Sequence, residues 1–208
     1  MLLNAPLHKR LERILTDIRA QGIRPRLLLH VCCAPCASYC LEYLSPYFDI
    51  TAYYYNPNIT DRAEYALRLD TLYALLRARH PDVDCIAAEQ DAQAFYKAVA
   101  GYERAQEGGA RCDLCFALRL DETARLARER GFDWFASTLS ISPHKDAARL
   151  YEAGERAAAR FGVRQLPNDF KKRGGYQRSI EICRELGLYR QTYCGCAYSR
   201  AADREHTE

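Results

Sequence analysis

The chain has 208 residues, a formal net charge of +3 and 49% hydrophobic residues. That length suits one globular domain, and so mild a charge neither requires nor excludes a nucleic-acid partner. No segment reaches the roughly 18 apolar residues of a transmembrane helix, and the charged, amphipathic N-terminus lacks the apolar core of a secretory signal. We therefore expect a cytoplasmic protein without a membrane partner, whose 10 cysteines stay reduced.

Along the chain, the hydrophobic pattern alternates between helices and short strands. The predicted strands are 27–31, 48–55 (which stops at the turn Asn56-Pro57-Asn58), 83–88, 133–138 and a short one within 160–166. The predicted helices are 8–20, one beginning within 35–44, one from the capping residue Asp61 to about Arg79, 91–101, 112–131, 146–161 and 176–187. Residues 102–112 form a glycine-bearing loop, and 193–199 are expected to be extended or looped.

This alternation predicts an α/β fold, with a parallel sheet flanked by helices on both faces. Ligands of such sheets bind beyond the carboxyl ends of the strands. Cys32, Cys33, the turn Asn56-Pro57-Asn58 and residues 137–145 should therefore lie around one crevice. The predicted organisation is an N-terminal helical extension (1–22), a single α/β catalytic domain (23–199) and a polar tail (200–208).

Six of the 10 cysteines form three close pairs: Cys32 and Cys33, Cys112 and Cys115, and Cys194 and Cys196. The second pair would share one face of a helix, and the third pair can point the same way if the chain is extended around its central glycine. Adjacent cysteines along a strand point to opposite sides. We therefore expect the first pair to serve two neighbouring metal sites, with one thiolate each, rather than a single metal.

The number of thiols also favours two centres. One four-iron cluster or one zinc ion takes about four thiolates, whereas the three pairs together with Cys36 supply seven. Structural zinc and a thioredoxin-like pair in Cys33-Ala-Pro-Cys36 are the alternatives. Zinc knuckles are normally close in sequence, and a thioredoxin-like site leaves two pairs unexplained. The remaining cysteines are expected to pack in the core: Cys40, Cys85 and Cys183.

Six segments carry a resemblance to a known family. They are LLLHVCCAPC, YYYNPNI, RCDLCFALRL, STLSISPHKD, DFKKRGGYQRS and YRQTYCGCAYS. In this order they resemble the cobalamin-independent epoxyqueuosine reductases of the QueH type, from about Arg26 to Ser199. The resemblance implies the last step of queuosine synthesis, in which an epoxide on the modified wobble base of a tRNA is reduced to an alkene.

The same resemblance implies a Rossmann-like fold of the PP-loop (HUP) type and a 4Fe-4S cluster with an additional mononuclear iron. It implies no cobalamin, an external electron donor and a disulfide bond of unassigned pairing. Cysteines take the position of a phosphate loop, so no ATP is expected. The family's metal-binding cysteines match Cys32, Cys33, Cys112, Cys115, Cys194 and Cys196, with Cys36 as a further ligand at a position where the family also has Asp.

Removing the oxygen of an epoxide consumes two electrons and two protons, so the site needs a proton donor. The candidates near the expected crevice are His30, Asp113, His144, Asp169 and Tyr193. Each also has a structural alternative. His30 lies on a strand and is expected more often to be a hydrogen-bonded core residue, and Asp113 can cap its helix.

A tRNA substrate requires basic and aromatic side chains. Residues 171–178 offer a loop that could grip phosphates through Lys171, Lys172, Arg173 and Arg178, with Tyr176 or Phe170 stacking on an extruded base. The alternative is a solvated charged loop. Near the crevice, Asn56 and Asn58 could bind a base, and Lys145 could bind a phosphate or a ribose.

Two other functions stay open at this point. One is an iron–sulfur or zinc protein that modifies tRNA, such as a sulfur-transfer enzyme. The other is a disulfide oxidoreductase. The sequence leaves the electron donor and the oligomeric state open.

Overall fold

The computed structural model describes residues 5–199, so the predicted polar tail lies outside the described residues. Five parallel strands form one sheet in the order β3-β2-β1-β4-β5. The strands are β1 (Arg26–His30), β2 (Asp49–Tyr54), β3 (Asp84–Ala87), β4 (Trp134–Ser137) and β5 (Arg164–Gln165). The central strand β1 is buried on both faces through Leu27, Leu28 and Leu29, as its continuous apolar run requires.

Helices cover both faces of this sheet. They are α1 (Leu7–Gln21), α2 (Ala34–Leu44), α3 (Arg62–Arg79), α4 (Ala92–Ala98), α5 (Ala110–Glu129), α6 (Ala147–Phe161) and α7 (Gly175–Glu185). On one face, Leu27 and Leu29 join a core with side chains of α1, α2, α3 and α7. On the other face, Leu28 packs with α5 and α6. Alternate residues of one strand thus anchor two separate layers of helix.

The predicted parallel α/β architecture is confirmed, and each predicted strand and helix is present. The PP-loop label and the division into domains stay predictions. The N-terminal helix α1 contributes Leu11, Leu15 and Ile18 to the main core. One local prediction is wrong: residues 197–199 are helical rather than extended, after a loop that carries Cys194 and Cys196.

No helix within the described part of the chain is long and apolar enough to cross a membrane.

The predicted cap of α3 is present, and it provides a stability test. The Asp61 carboxylate accepts hydrogen bonds from the backbone N–H groups of Ala63 (2.9 Å) and Glu64 (3.1 Å). We expect Asp61→Ala to lower the free energy of unfolding by about 1 kcal/mol, because these donors lose their acceptor. Urea denaturation measures the change. Asp61→Asn retains an acceptor oxygen and should lose much less, so equal losses in the two variants would contradict the capping role.

Candidate metal centre and substrate cavity

A cavity of about 680 Å³ opens at the carboxyl ends of β1, β2 and β4. Its walls come from the turn after β1, the turn after β2, the segment after β4 and the loop before residue 199. The side chains that line the cavity include Cys32, Cys36, Asn58, Lys145, Tyr193 and Cys194. The position at the strand ends is the one that the parallel sheet predicts.

The turn after β1 brings three cysteines together. The strand ends at His30, and Cys33 occupies the N-cap position of α2. The chain therefore reverses within the cysteine segment, and the sulfur atoms of Cys32, Cys33 and Cys36 lie within 4.8 Å of one another. The expectation that Cys32 and Cys33 point to opposite sides is wrong, because neither residue is part of the strand.

The separation of these sulfurs suits a metal. The Sγ atoms of Cys32 and Cys33 are 3.7 Å apart. Two thiolates on one tetrahedral ion with bonds of about 2.3 Å are separated by about 3.8 Å. This group therefore fits a metal without rearrangement of the backbone.

The other four predicted ligands come from two further elements. Cys112 and Cys115 are in the first two turns of α5, on one face of the helix as predicted, and Cys194 and Cys196 come from the C-terminal loop. All four line a smaller pocket that shares Cys194, Arg119 and Lys145 with the large cavity. Six of the seven predicted metal-binding cysteines thus line two adjoining cavities, and the seventh, Cys33, lies beside Cys32 and Cys36.

Burial and the contacts between these thiols shift their pKa values. Burial raises the pKa of Cys115 to about 11 and that of Cys196 to about 12. Cys32 differs, because hydrogen bonds from the Cys33 and Cys36 thiols lower its pKa well below the ordinary value. Cys33 in turn accepts a hydrogen bond from the Gln191 side-chain amide, at 2.9 Å from Nε2 to Sγ. The group is arranged to stabilise a thiolate at Cys32.

A buried cation lies behind the cysteines. Arg119 is 1% exposed, and its Nη2 donates to Asn56 Oδ1 at 2.6 Å. Its charge offsets part of the burial effect on Cys115 and also favours the thiolate of Cys32. The sequence reasoning missed this residue. The available signal was its spacing, because Arg119 follows Cys115 by four residues and so shares the helix face of the cysteines.

The five predicted proton donors have different surroundings. His30 is fully buried between Ser137 Oγ (2.8 Å) and the carbonyl oxygen of Tyr55 (3.0 Å), and burial lowers its pKa to about 3. It is therefore the hydrogen-bonded core histidine that the alternative described. Asp113 pairs with Arg149, and Asp169 pairs with Lys171. The two candidates that line the cavity are His144 and Tyr193.

Three of the four basic side chains within residues 171–178 make contacts inside the protein. The Lys171 ammonium donates to the backbone carbonyls of Ser140 (2.9 Å) and Lys145 (3.1 Å), and Arg173 pairs with Glu12. Arg178 forms ion pairs with Glu42, Glu181 and Glu185.

The aromatic residues of the segment divide between core and surface. Phe170 is 2% exposed in the core, so the expectation that it stacks on a base is wrong. Lys172 and Tyr176 are exposed, and Tyr176 also lines the cavity.

The two asparagines after β2 have different roles. Asn56 is occupied within the protein, because its Nδ2 donates to the Val31 carbonyl (2.9 Å) and its Oδ1 accepts from Arg119. Asn58 lines the cavity, and its buried Oδ1 has no hydrogen-bond partner among the described residues. Lys145 also lines the cavity, where the electrostatic interaction with Cys194 raises the pKa of the lysine.

The remaining cysteines pack as predicted. Cys40 and Cys183 are buried, and the half-buried Cys85 packs against the main core. All ten cysteines are free thiols in this structure, so the disulfide bond stays a prediction without a pairing.

The sequence comparisons identify the family. A sequence model described as "Epoxyqueuosine reductase QueH" matches residues 27–202. The chain belongs to this family.

Curated relatives carry the same name across distant bacteria. A QueH protein of Streptococcus pyogenes serotype M1 is 43% identical over 183 residues, which are 86% of this chain and 72% of the relative. One from Staphylococcus epidermidis is 40% identical over 197 residues, or 92% of this chain and 83% of the relative. One from Thermotoga maritima is 35% identical over 189 residues, or 88% of this chain and 94% of the relative. Similarity thus extends over both cysteine-bearing ends of the site.

The contact between Arg119 and Asn56 can be tested by a double-mutant cycle. We expect Arg119→Met to lower the free energy of unfolding by about 2 kcal/mol, because Asn56 Oδ1 is left buried without a donor. After Asn56→Ala, the same substitution should cost about 1 kcal/mol less, since the acceptor is gone. Urea denaturation of the four metal-free proteins measures both values. Additive effects would contradict the contact.

Proposed function

We propose that this protein reduces epoxyqueuosine to queuosine at the wobble position of tRNA. The observation that carries the proposal is the placement of six of the predicted ligand cysteines on two adjoining cavities of a QueH-family chain, with the seventh, Cys33, within 4.8 Å of Cys32 and Cys36 at its sulfur atom. The protein is an oxidoreductase, and the reaction breaks both C–O bonds of the epoxide with two electrons and two protons. A cytoplasmic location suits this chemistry, because thiols stay reduced there.

The cofactors of the proposal are a 4Fe-4S cluster and an additional iron. The donor set fits them, since both take thiolate ligands and seven cysteines are within reach of the two cavities. The residues that would hold them are Cys32, Cys33, Cys36, Cys112, Cys115, Cys194 and Cys196. When bound, these groups supply electrons from an external donor and polarise the epoxide oxygen.

The chain's own residues hold the modified base beside the cysteines. Asn58 Oδ1 and Gln191 Oε1 are buried acceptors without a partner among residues 5–199, and both side chains line the cavity. A base that carries N–H donors would satisfy them, and unsatisfied acceptors discriminate against bases that lack such donors. Lys145 lies beside Cys194, and His144 and Tyr193 are the candidate proton donors that line the cavity.

The first test separates site cysteines from packing cysteines. We expect Cys32→Ala, Cys112→Ala and Cys115→Ala proteins, purified without oxygen, to lose bound iron and sulfide. Their rate of epoxyqueuosine reduction in tRNA should fall more than about 100-fold, because even residues that only support metal ligands are worth 10- to 100-fold. Iron and sulfide analysis and product detection by mass spectrometry, with a chemical reductant, measure the effects.

The matched control is Cys85→Ala, which removes a half-buried thiol from β3 outside the cavity lining. It should retain iron and activity. Zinc without sulfide in the unaltered protein would contradict the iron chemistry and favour a zinc-bound tRNA-modifying protein. Activity that depends on Cys33 and Cys36 but tolerates loss of Cys194 would favour a disulfide oxidoreductase.

The second test concerns the tRNA surface, for which we retain Lys172 and Tyr176 as contacts. If Lys172 binds a phosphate, Lys172→Ala should weaken tRNA binding and reduce the slope of log K against log salt by about 1. Fluorescence anisotropy at several salt concentrations measures this slope. The control is Arg128→Ala at the far end of α5, about 23 Å along the helix from Asp113, and an equal effect there would contradict a specific contact.

Stacking by Tyr176 has a separate test. Tyr176→Ala should raise the Kd for tRNA about tenfold, because one base–aromatic stack contributes about 1–3 kcal/mol. Tyr176→Phe keeps the ring and should bind nearly as well as the unaltered protein. A loss in both variants would point to the hydroxyl group and contradict stacking.

A further inference from the structure

The loop that carries Cys194 and Cys196 has no regular secondary structure until residue 197. Such a loop needs other contacts to hold its thiols in a fixed direction. Two such contacts come from Arg68 on α3, whose side chain is 2% exposed. Its Nη1 donates to the carbonyl oxygen of Cys194 at 3.1 Å, and its Nη2 donates to that of Tyr193 at 3.2 Å. The guanidinium also lies over the Tyr193 ring, 5.3 Å from its centre.

The guanidinium is itself fixed by a carboxylate. Arg68 Nε donates to Glu64 Oε1 at 2.6 Å, one helical turn earlier on α3. The Tyr189 hydroxyl lies 3.1 Å from both oxygens of Glu64. A buried cation is costly unless it is paired and its donors are satisfied, and this arrangement does both. Arg68 reaches two carbonyls and a carboxylate through three separate nitrogen atoms, whereas a lysine at this position would have a single nitrogen to place among the same acceptors.

The loop backbone fits closely against this group. Gly195 has φ +107°, a conformation that side chains other than glycine rarely adopt. A Cβ atom at this position would lie 2.9 Å from Ile59 Cγ1 and 3.2 Å from Arg68 Nη1. The Gly195 carbonyl accepts from the Thr60 N–H at 3.3 Å. The glycine therefore lets the loop lie directly on Arg68 and the segment before α3.

We propose that Arg68, held by Glu64, is a positioning residue that presents Cys194 and Cys196 to the cavity. The proposal rests on the proposed function in one respect, which is that these two thiols belong to the metal site. Arg68 contacts the two peptide carbonyls on either side of the Cys194 Cα, not the sulfur atoms. Its loss should therefore open the loop locally while the sheet and the other helices stay folded.

The test is the rate of alkylation of each cysteine in the metal-free, folded protein. Cys196 is 9% exposed, so its modification by N-ethylmaleimide reports opening of the loop. In Arg68→Lys we expect Cys196 to react about tenfold faster, because at least one charge-assisted hydrogen bond is lost. Cys40 and Cys183, buried elsewhere, should react at unchanged rates. Mass spectrometry of the peptides measures every cysteine in the same sample.

Three further variants sharpen this test. Arg79→Lys changes an exposed arginine on the same helix that pairs with Glu185, and it should leave the Cys196 rate unchanged. Glu64→Gln retains an acceptor oxygen for Arg68, so it should accelerate Cys196 less than Glu64→Ala does. An unchanged Cys196 rate in Arg68→Lys would overturn the proposal. Equal acceleration at Cys40 and Cys183 would also overturn it, since that pattern means general destabilisation.

Gly195→Ala disturbs the contact between the loop and Arg68 from the loop itself. It should also accelerate alkylation of Cys196 selectively. The alkylation result does not depend on catalysis. If the unaltered protein fails to reduce epoxyqueuosine while Arg68→Lys selectively exposes Cys196, the proposed function fails and the positioning role stands. If the unaltered protein is active and Cys196 stays protected in Arg68→Lys, the positioning role fails alone.

Discussion

The guanidinium of Arg119, buried beneath the strand ends, is the constraint on which the rest of the site depends. A buried charge is tolerated only where polar or opposite charges surround it. Here the compensation comes from Asn56 on the turn after β2 and from the cysteines that line the cavity. The cation thus links α5 to the turn after β2 through Asn56 and to β1 through His30, and its charge favours a thiolate at Cys32. His30 stays neutral beside it, because burial and the Arg119 charge both lower its pKa.

A second constraint is the abrupt end of β1. A strand that continued through Cys32 and Cys33 would send their side chains to opposite faces of the sheet. Because β1 ends at His30 and α2 begins at Ala34, both sulfurs instead lie in one group with that of Cys36. Parallel strands require helical crossovers, so the turn, the first turn of α5 and the C-terminal loop meet at one edge of the sheet. Cysteines up to 164 positions apart, from Cys32 to Cys196, therefore share one site.

Arginine side chains hold the turns and loops of this site that lie outside helices and strands. Arg119 contacts the turn after β2, Arg68 contacts the C-terminal loop, and Arg149 bonds to the carbonyl of Gly108 just before α5. Each supplies several donors from one rigid group, which suits backbone carbonyls that no helix or strand satisfies. The basic residues that seemed free to bind RNA are partly used in the same way, as Lys171 and Arg178 illustrate.

The sequence by itself determined the alternating elements, the parallel sheet and the seven cysteines, because apolar periodicity and short spacings are local properties of the chain. It also indicated the α3 cap at Asp61 and the core positions of Cys40 and Cys183. Only the tertiary structure decided that Cys32 and Cys33 converge, that Phe170 is buried, and that Arg68 and Arg119 support the site. Those outcomes depend on contacts between residues far apart in the chain, such as the 126 positions between Arg68 and Cys194. No local pattern encodes such a distance, because it is set by how the helices pack on the sheet.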